Sequence, residues 1–388
     1  MKLELLQDRN YLEILNPSDD SHVTDALLAS ENDDHLQAMH HLRQSTSVEA
    51  AFLRGLTLYR EGEKQKALQE FKAILGKPNA NFLTAAFHDA ILEKADAATE
   101  MYGGSEFTKF FKTASQSVLF RDMHTVVNNT IAAHPPSNST FTMVDLGLGT
   151  GAQVESIIKW IPEKWPHVKR AIFVGVEPSQ ELAEIAKARI EKAISDSPLA
   201  IKLIVIPKKA QDLDADFSNR FPPFNIVNAT ASIHHMDKEA KLNLLKAIRF
   251  WDLERLIITD ADSDHDSDIP DLSYRLVANV TSFYDAVLNY MVSQDPNPEH
   301  RRDYEGFCFY DARNIVLETG SRRIEYHTTA KKWLRYLNDA GFLIVEPDLR
   351  WLDGVSPNNS SIEDQYLLTA KYRRPISFQI TAAIMRPK

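Results

Sequence analysis

The spacing of apolar residues divides the 388-residue chain into two parts. Up to about residue 103, apolar positions recur at helical spacing, without the alternation typical of strands. From residue 142 onward, short apolar runs alternate with amphipathic segments, which is typical of a parallel sheet covered by helices. Strands are predicted at 142–146, 171–176, 201–206, 224–229, 255–260, 342–347 and 376–385. We therefore predict an α/β fold, with a doubly wound sheet that follows an all-helical N-terminal region.

The clearest helical pattern lies between residues 51 and 78. Gly55 and Tyr59, followed by Phe71, give it a resemblance to one tetratricopeptide-type helix pair, in which small residues let two helices approach closely. An array of such repeats needs about three copies to be stable, and the flanking segments resemble the repeat weakly. An amphipathic helical hairpin packed on the next domain is therefore an equal alternative.

Domain boundaries follow from breaks in this pattern. Gly103 and Gly104 end the first helical region, and one long helix is predicted from about 107 to 133. We predict a helical N-terminal or cap region at 1–103 and a sheet domain at 104–388, with a helical insertion at about 270–300.

Three glycines follow the first predicted strand at alternate positions. Gly147, Gly149 and Gly151 come directly after Asp145 and precede an amphipathic helix. Glycine permits positive φ angles and close approach of the backbone to a ligand, while the N-terminus of the helix presents unpaired N–H groups. The D-x-G-x-G-x-G spacing resembles motif I of class I methyltransferases, which implies S-adenosylmethionine (SAM) as the cofactor. An NAD-binding oxidoreductase and an empty glycine turn are the alternatives.

The ends of the next strands provide further candidates for the cofactor site. Glu177 ends the second strand, where acidic residues bind a ribose diol in dinucleotide and SAM folds. Gln211 and Asp212 follow the third strand and resemble the methyltransferase position that contacts adenine. Asn228 ends the fourth strand, where the backbone passes the methionine part of SAM. A loop or capping role is the alternative for each acidic residue.

Histidines follow the fourth and fifth strands. His234 and His235 extend past the cofactor positions to the substrate side, and His265 lies in an acidic loop after residue 260. An imidazole with an ordinary pKa near 6.5 can accept a proton at neutral pH, so His235 or His265 is the predicted general base. Calcium is not predicted in the acidic loop because His265 occupies the position of the required glycine. A solvated loop and a polar wall of the substrate pocket, including Asp262, are the two remaining interpretations.

The amino-acid composition limits the kinds of binding partner that the sequence predicts. The 54 acidic and 44 basic residues give a net charge of −10, and no basic cluster interleaves with aromatic residues, so no nucleic acid partner is predicted. Neither a signal peptide nor an apolar run of membrane-spanning length is present, so no membrane partner is predicted. The single cysteine, Cys308, excludes an internal disulfide and a Cys-rich metal site. We predict a cytoplasmic location and no metal.

Several short motifs in consistent order resemble the GRAS family. The family's VNS-hydrophobic-LH, EQExNHN, FYSALFDSL, N-V-V-A-x-E-G-x-x-R-x-E-R-H and W-(6–8)-AGF elements correspond in order to Val227–His235, Asp260–Asp266, Thr281–Leu288, Asn314–His327 and Trp333–Phe342. Plant members are transcriptional regulators on a methyltransferase-like fold with a helical cap, whereas bacterial members are predicted small-molecule methyltransferases. The complete glycine signature makes this chain similar to the bacterial type. The resemblance places His234, Asp262, Asn314, Glu325 and His327 at the substrate pocket, although Arg323 and Glu325 could instead form a structural ion pair.

The sequence therefore predicts a SAM-dependent methyltransferase that transfers a methyl group directly to a small-molecule acceptor in a capped cleft. The alternative is a non-catalytic GRAS-type module that binds a small molecule or a protein. A protein partner would bind the helical N-terminal region, and a homodimer is a further option.

Overall fold

The computed structural model describes residues 20–32, 34–77, 80, 84, 87–88, 91, 105–263, 265, 274–317, 323–351 and 377–385. The predicted helix break at Gly103 and Gly104 and most of the acidic loop after His265 lie outside the described residues.

The structure gives the bounds of twelve α-helices and seven strands. The helices are α1 (Ser21–Glu31), α2 (His35–Gln44), α3 (Val48–Arg60), α4 (Lys64–Ile74), α5 (Ser105–Ala114), α6 (Val118–Ala132), α7 (Ala152–Lys164), α8 (Gln180–Ser195), α9 (Lys238–Ile248), α10 (Tyr274–Gln294), α11 (Pro298–Leu317) and α12 (Ala330–Asp339). The strands are β1 (Thr140–Leu146), β2 (Arg170–Val176), β3 (Ala200–Ile206), β4 (Phe224–Thr230), β5 (Leu253–Ala261), β6 (Phe342–Trp351) and β7 (Ser377–Ile384).

The strands form one seven-stranded sheet in the order β3-β2-β1-β4-β5-β7-β6. The first five strands are parallel, and β7 runs antiparallel to both β5 and β6. The order reverses between β1 and β4, and a ligand of a doubly wound sheet binds where the order reverses. This topology confirms the predicted doubly wound α/β fold of the Rossmann type.

Apolar residues cover both faces of the sheet. One core cluster contains Val144, Val174 and Val227, and the other contains Met143, Phe173 and Ile226, so neighbouring residues of each strand face opposite layers. The central strands β1, β2 and β4 are almost completely buried, and such strands contain nearly continuous apolar residues, whereas β3 at the edge is only partly buried. β6 extends four residues beyond its predicted end.

The single helix predicted at 107–133 is wrong, because the chain forms α5 and α6 with a turn between them. Ser117 has extended backbone angles (φ −66°, ψ 167°), and its N–H donates to the carbonyl of Ala114 at 2.9 Å. The Ser115 hydroxyl donates to the carbonyl of Lys112 at 3.0 Å. Serine side chains compete in this way for the hydrogen bonds of the helix backbone.

The chain divides into two compact units. One contains residues 1–101, 269–323 and 359–375, and the other contains residues 102–268, 324–358 and 376–388. The sheet lies in the second unit, together with α5–α9 and α12. No helix in the described ranges has the length and apolar character needed to cross a membrane.

In the first unit, α3 and α4 form a hairpin. Gly55 lies so close to the Phe71 ring that an added Cβ would be 2.7 Å from a ring carbon. Arg54 and Glu70 form an ion pair of 2.8 Å across the hairpin. The small residue therefore sets the distance between the two helices, as the sequence predicted. Whether the hairpin is of the tetratricopeptide type stays a prediction.

Candidate functional site

The turn between β1 and α7 has the backbone conformation that its glycines predict. Gly147, Gly149 and Gly151 have φ angles of 86°, 54° and 75°. Side chains other than that of glycine are strained in this left-handed region. Gly151 is the N-cap of α7, and no side chain caps the first turn of this helix. The turn therefore presents backbone groups and the positive end of a helix dipole.

Two of the three glycines are also required by close packing. A Cβ at Gly147 would lie 2.4 Å from Cβ of Ser232, which follows β4. A Cβ at Gly151 would lie 3.0 Å from Cα of Ala186 in α8. Gly147 therefore lets β4 approach the turn, and Gly151 lets α8 approach it.

Gly149 differs from the other two because it borders open space. An added Cβ would lie 3.4 Å from the Phe111 ring, an ordinary contact distance. Gly149 and Phe111 line a cavity of about 410 Å³, counting the part open to solvent. The cavity therefore lies at the predicted cofactor turn.

Side chains of α5 and α6 form the opposite wall of this cavity, which the sequence analysis missed. Phe111 and Phe120 pack edge to face, with ring centroids 5.8 Å apart, and His124 lies beside them. Burial, reinforced by the charge of Arg189, lowers the pKa of His124 to about 4, so its imidazole is neutral at neutral pH. This wall is apolar and uncharged. The apolar stripe of this segment was visible in the sequence, but the surface that it covers was not.

The carboxyl group of Asp145 lies buried at the end of β1. Asn228, its register partner on β4, donates a 2.8 Å hydrogen bond from Nδ2 to Oδ1 of Asp145. Burial raises the pKa of Asp145 to about 7, opposed by the Asn228 bond and reinforced by the negative charge of Glu177. Asp145 is therefore partly protonated at neutral pH. It lines the cavity, whereas Asn228 lies behind it and reaches the site only through this hydrogen bond.

The carboxylate of Glu177 accepts a hydrogen bond from the glycine turn. Its Oε2 accepts a hydrogen bond from the Gly149 N–H, and its Oε1 accepts one from the Ser179 N–H, both at 2.9 Å. Burial raises the pKa of Glu177, and the two backbone donors oppose that rise. The carboxylate fixes the turn, while each oxygen keeps a second lone pair for a ligand hydroxyl. The predicted role in binding ribose stays a prediction.

Gln211 and Asp212 lie in a short 3₁₀ turn after β3 and are exposed. The N–H of Asp212 donates to the carbonyl of Lys209 at 3.0 Å. Neither residue lines the cavity described above. Their predicted contact with adenine stays a prediction.

The chain leaves the cavity through a strained residue. Ala231 lines the cavity with a φ angle of 47°, the only positive φ at a residue other than glycine within the described ranges. The hydroxyl of the next residue, Ser232, donates to the Leu146 carbonyl at 2.5 Å. Such strain is often found at functional sites. It turns the chain from the cavity toward His234 and His235, and nothing in the sequence indicated it.

His234 and His327 form a stacked pair at the ends of β4 and β5. Their ring centroids are 4.2 Å apart with an interplanar angle of 27°. The two oxygens of Asp260 lie 2.8 and 3.0 Å from His234 Nδ1, and one lies 3.8 Å from His327 Nδ1. Burial lowers the pKa of both histidines well below its ordinary value and raises the pKa of Asp260. Both imidazoles are therefore neutral at neutral pH.

Glu325 lies on the other side of this stacked pair and is fully buried. His235 Nδ1 is 2.8 Å from its Oε1. The Nε2 atoms of His234 and His327 are 3.8 and 3.7 Å from its Oε2. Three of the predicted substrate residues, together with the predicted base His235, thus form one cluster.

Lys241 of α9 fixes the segment that carries Glu325 and His327. It is 1% exposed, and its ammonium group donates to the Tyr326 carbonyl and to the Thr328 hydroxyl. The Tyr326 N–H donates to the His234 carbonyl at 2.7 Å. Lys241 could not be recognised from the sequence, because a lysine on an amphipathic helix is usually solvated.

The remaining predicted residues have different surroundings. His265 is fully buried, and its Nε2 lies 2.9 Å from the Ser263 hydroxyl. The backbone N–H of His265 donates to the His327 carbonyl. Asp262 accepts a 2.8 Å hydrogen bond from the Ala330 N–H at the start of α12. Asn314 is buried in α11 and belongs to the helical unit. Their catalytic and substrate roles stay predictions.

Comparisons with known proteins agree with this architecture. SCL7 from Oryza sativa has a similar structure, at 16% sequence identity and a TM-score of 0.56, covering 82% of this chain and 98% of that chain. Lower scores are found for a geranyl diphosphate C-methyltransferase from Streptomyces coelicolor A3(2) (13% identity, TM-score 0.38, covering 75% of this chain and 88% of that chain) and for a cyclopropane synthase from Mycobacterium tuberculosis (10% identity, TM-score 0.38, covering 66% and 83%).

No curated protein sequence matches the chain. Residues 61–350 match the GRAS domain family, which is well over half of the sequence. The resemblance inferred from the short motifs is thereby confirmed, and the chain belongs to the GRAS domain family.

Proposed function

We propose that this protein is a SAM-dependent methyltransferase that acts on a small molecule. The glycine turn supports this proposal most directly. Its three glycines have positive φ angles and follow the buried Asp145, and two of them, Gly147 and Gly149, line a cavity. A turn that only connected a strand to a helix would need neither the cavity nor the buried Asp145 beside it.

The residues of the turn and of the adjoining strand ends would hold the cofactor. Gly147 and Gly149 would let the backbone approach the methionine part of SAM, beside Asp145 and Asn228, and Glu177 would bind the ribose through its remaining lone pairs. When bound, SAM supplies a methyl group on a positively charged sulfur. The neutral wall at Phe111 and His124 would exclude water from that group.

The acceptor would bind on the side of the histidine cluster. Ala231 lines the cavity, and His234 and His235 follow it by three and four positions. The side chain of His235 is 29% exposed, and Glu325 lies 2.8 Å from its Nδ1. A carboxylate at one imidazole nitrogen orients the ring and makes the other nitrogen a better base. Positioning of the acceptor beside the methyl group would supply much of the rate increase.

Calorimetric titration with SAM and with S-adenosylhomocysteine tests the proposal. We expect micromolar binding by the wild-type protein and at least tenfold weaker binding by Gly149→Ala, which adds a methyl group to the cavity wall. Gly62→Ala is the matched control, since Gly62 has a similar φ of 82° and no atom within 4 Å of an added Cβ. Its affinity should equal that of the wild type.

Two results would contradict the proposal. Folded wild-type protein that binds neither compound would favour the non-catalytic binding module. Equal affinities of Gly149→Ala and Gly62→Ala would place a bound nucleoside elsewhere than at the glycine turn.

A further inference from the structure

Three imidazole nitrogens surround the carboxylate of Glu325. They are Nδ1 of His235 at 2.8 Å from one oxygen, and Nε2 of His234 and of His327 at 3.8 and 3.7 Å from the other. Glu325 is fully buried, and the side chains of His234 and His327 are 9% and 7% exposed.

The two longer distances do not fit direct hydrogen bonds. A nitrogen and an oxygen more than about 3.5 Å apart share no hydrogen bond, whereas donors bound to one tetrahedral ion at about 2.0–2.1 Å lie about 3.3 Å from each other. The donor atoms of His234, His235 and Glu325 all lie within 4.8 Å of one another. The distances of 2.8–3.8 Å around Glu325 therefore bracket the spacing expected for ligands of one ion.

The donor atoms also indicate the class of ion. Imidazole nitrogen combined with carboxylate oxygen is the ligand set of zinc and neighbouring first-row metals, while calcium and magnesium prefer oxygen alone. Sites with two histidines and one glutamate occur in zinc enzymes that keep one position open for water or substrate.

Asp260 supplies the second shell that such a site requires. A histidine that binds a metal usually donates its other ring N–H to a carboxylate, which fixes the tautomer. Asp260 lies 2.8 Å from Nδ1 of His234, so the other nitrogen, Nε2, faces Glu325 with its lone pair. Asp260 itself accepts a hydrogen bond from the Ala261 N–H at 2.8 Å.

We propose that His234, His235 and Glu325 bind a divalent first-row transition-metal ion of the Zn²⁺ type. The segment with Glu325 and His327 is fixed by Lys241, so the ligands from two distant parts of the sequence are held together without the ion. His235, at 29% exposure, lies on the route by which the ion enters.

The site goes beyond the proposed methyl transfer and does not depend on it. With an ion bound, His235 is a metal ligand and no longer the base, and the open position of the ion would bind an oxygen of the acceptor. Binding of Zn²⁺ is measured without SAM, and binding of SAM is measured after treatment with EDTA. The failure of one proposal is thereby separated from the failure of the other.

The test uses the full chain, dialysed against EDTA and then titrated with Zn²⁺ by calorimetry, with metal content checked by mass spectrometry. We expect one ion per chain in the wild type and at least tenfold weaker binding by Glu325→Gln, which keeps the volume of the side chain. Asp260→Asn should weaken binding about 10- to 100-fold through the orientation of His234. Co²⁺ should produce visible absorption bands that Zn²⁺ abolishes.

His41→Gln is the control, because His22, Asp25 and His41 form a second, more exposed group of donor atoms in the helical unit. Its affinity should equal that of the wild type. Should Glu325→Gln fail to fold, as judged by circular dichroism, His235→Gln replaces it, since His235 is the most exposed member of the cluster. The proposal is overturned when the wild type binds no ion, when the folded variant binds as tightly as the wild type, or when His41→Gln alone loses the ion.

Discussion

Asn228 on β4 donates a 2.8 Å hydrogen bond to Asp145, its register partner on β1, at the point where the strand order reverses. The carboxyl group that receives this bond is buried, and its pKa is raised to about 7. Asp145 is therefore both a predicted cofactor residue and a group that couples the stability of the sheet to pH.

Replacement of Asp145 by asparagine should change how stability depends on pH. The pKa of Asp145 is 3.8 in the unfolded chain and about 7 in the folded protein, so the folded state binds the proton more tightly. The free energy of unfolding therefore falls as pH rises from 3.8 to about 7 and levels off above that range, with a total loss of up to about 4 kcal/mol. Asparagine removes this loss, because its Oδ1 still accepts from Asn228 but does not ionise.

Urea unfolding at several pH values checks this prediction. The stability difference between Asp145→Asn and the wild type should grow in favour of the variant from pH 4 to pH 8. Asp196→Asn, which alters an exposed aspartate, should give a constant difference over the same range. Parallel profiles for Asp145→Asn and the wild type would refute the burial of the charge.

Alanine at Gly147 should destabilise the protein more than alanine at Gly149. Both have a positive φ, which costs a side chain about 1–2 kcal/mol. At Gly147 the new Cβ would also lie 2.4 Å from Ser232, and overpacking adds about 1–3 kcal/mol. We expect a loss of about 3 kcal/mol or more at Gly147 and about 1–2 kcal/mol at Gly149, measured by urea unfolding without cofactor. Equal losses would contradict the close approach of Ser232.

Replacement of Lys241 by methionine should loosen the segment that carries Glu325 and His327. Methionine keeps the apolar stem but leaves the Tyr326 carbonyl without the donation from the ammonium group, which costs about 1–3 kcal/mol. Hydrogen exchange of the Tyr326 N–H should become faster. Lys246→Met, an exposed position on the same helix, should leave stability and exchange unchanged. Slow exchange in Lys241→Met would show that the lysine does not fix this segment.

His235→Ala should separate cofactor binding from catalysis. His235 does not line the cavity at the glycine turn, so the affinity for SAM should stay within about twofold. In protein treated with EDTA, transfer of a labelled methyl group to an acceptor found by screening should fall about 10²–10⁴-fold, the usual contribution of a general base. His265→Ala should instead lower stability, since His265 is fully buried beside Ser263. An unchanged rate in His235→Ala would remove this residue from the reaction.

The central strands could be predicted from the sequence because burial on both faces leaves a nearly continuous apolar run in each of them. The edge strand β3 is only partly buried, but its residues 201–206 are apolar except for Lys202. The glycine turn could also be predicted from the sequence, since positive φ angles restrict the residue type at Gly147, Gly149 and Gly151. The break between α5 and α6 was missed because it depends on local features, the hydrogen bond of the Ser115 hydroxyl and the extended backbone of Ser117.

The histidine cluster was predicted only in part. The sequence indicated His234 and His235 at a strand end, and the family resemblance added Glu325 and His327, about 90 positions later. Neither source could show which nitrogen faces which carboxylate, because that depends on the stacking of two rings and on a buried lysine. The positive φ angle of Ala231 likewise depends on the surrounding tertiary structure, so an alanine at this position did not indicate it.

The place of β7 in the sheet has a consequence for synthesis of the protein. β7 lies between β5 and β6, and within the described part of the chain β6 pairs with no other strand. During translation, β5 therefore keeps an open edge and β6 lacks a pairing partner until residue 384 has left the ribosome. The Asp260 end of β5, which orients His234, is completed by pairing with Phe378. A chain without β7 would thus keep the pairing of β1 with β2 and β4, on which the glycine turn depends, while the strand that carries Asp260 would lack its antiparallel partner.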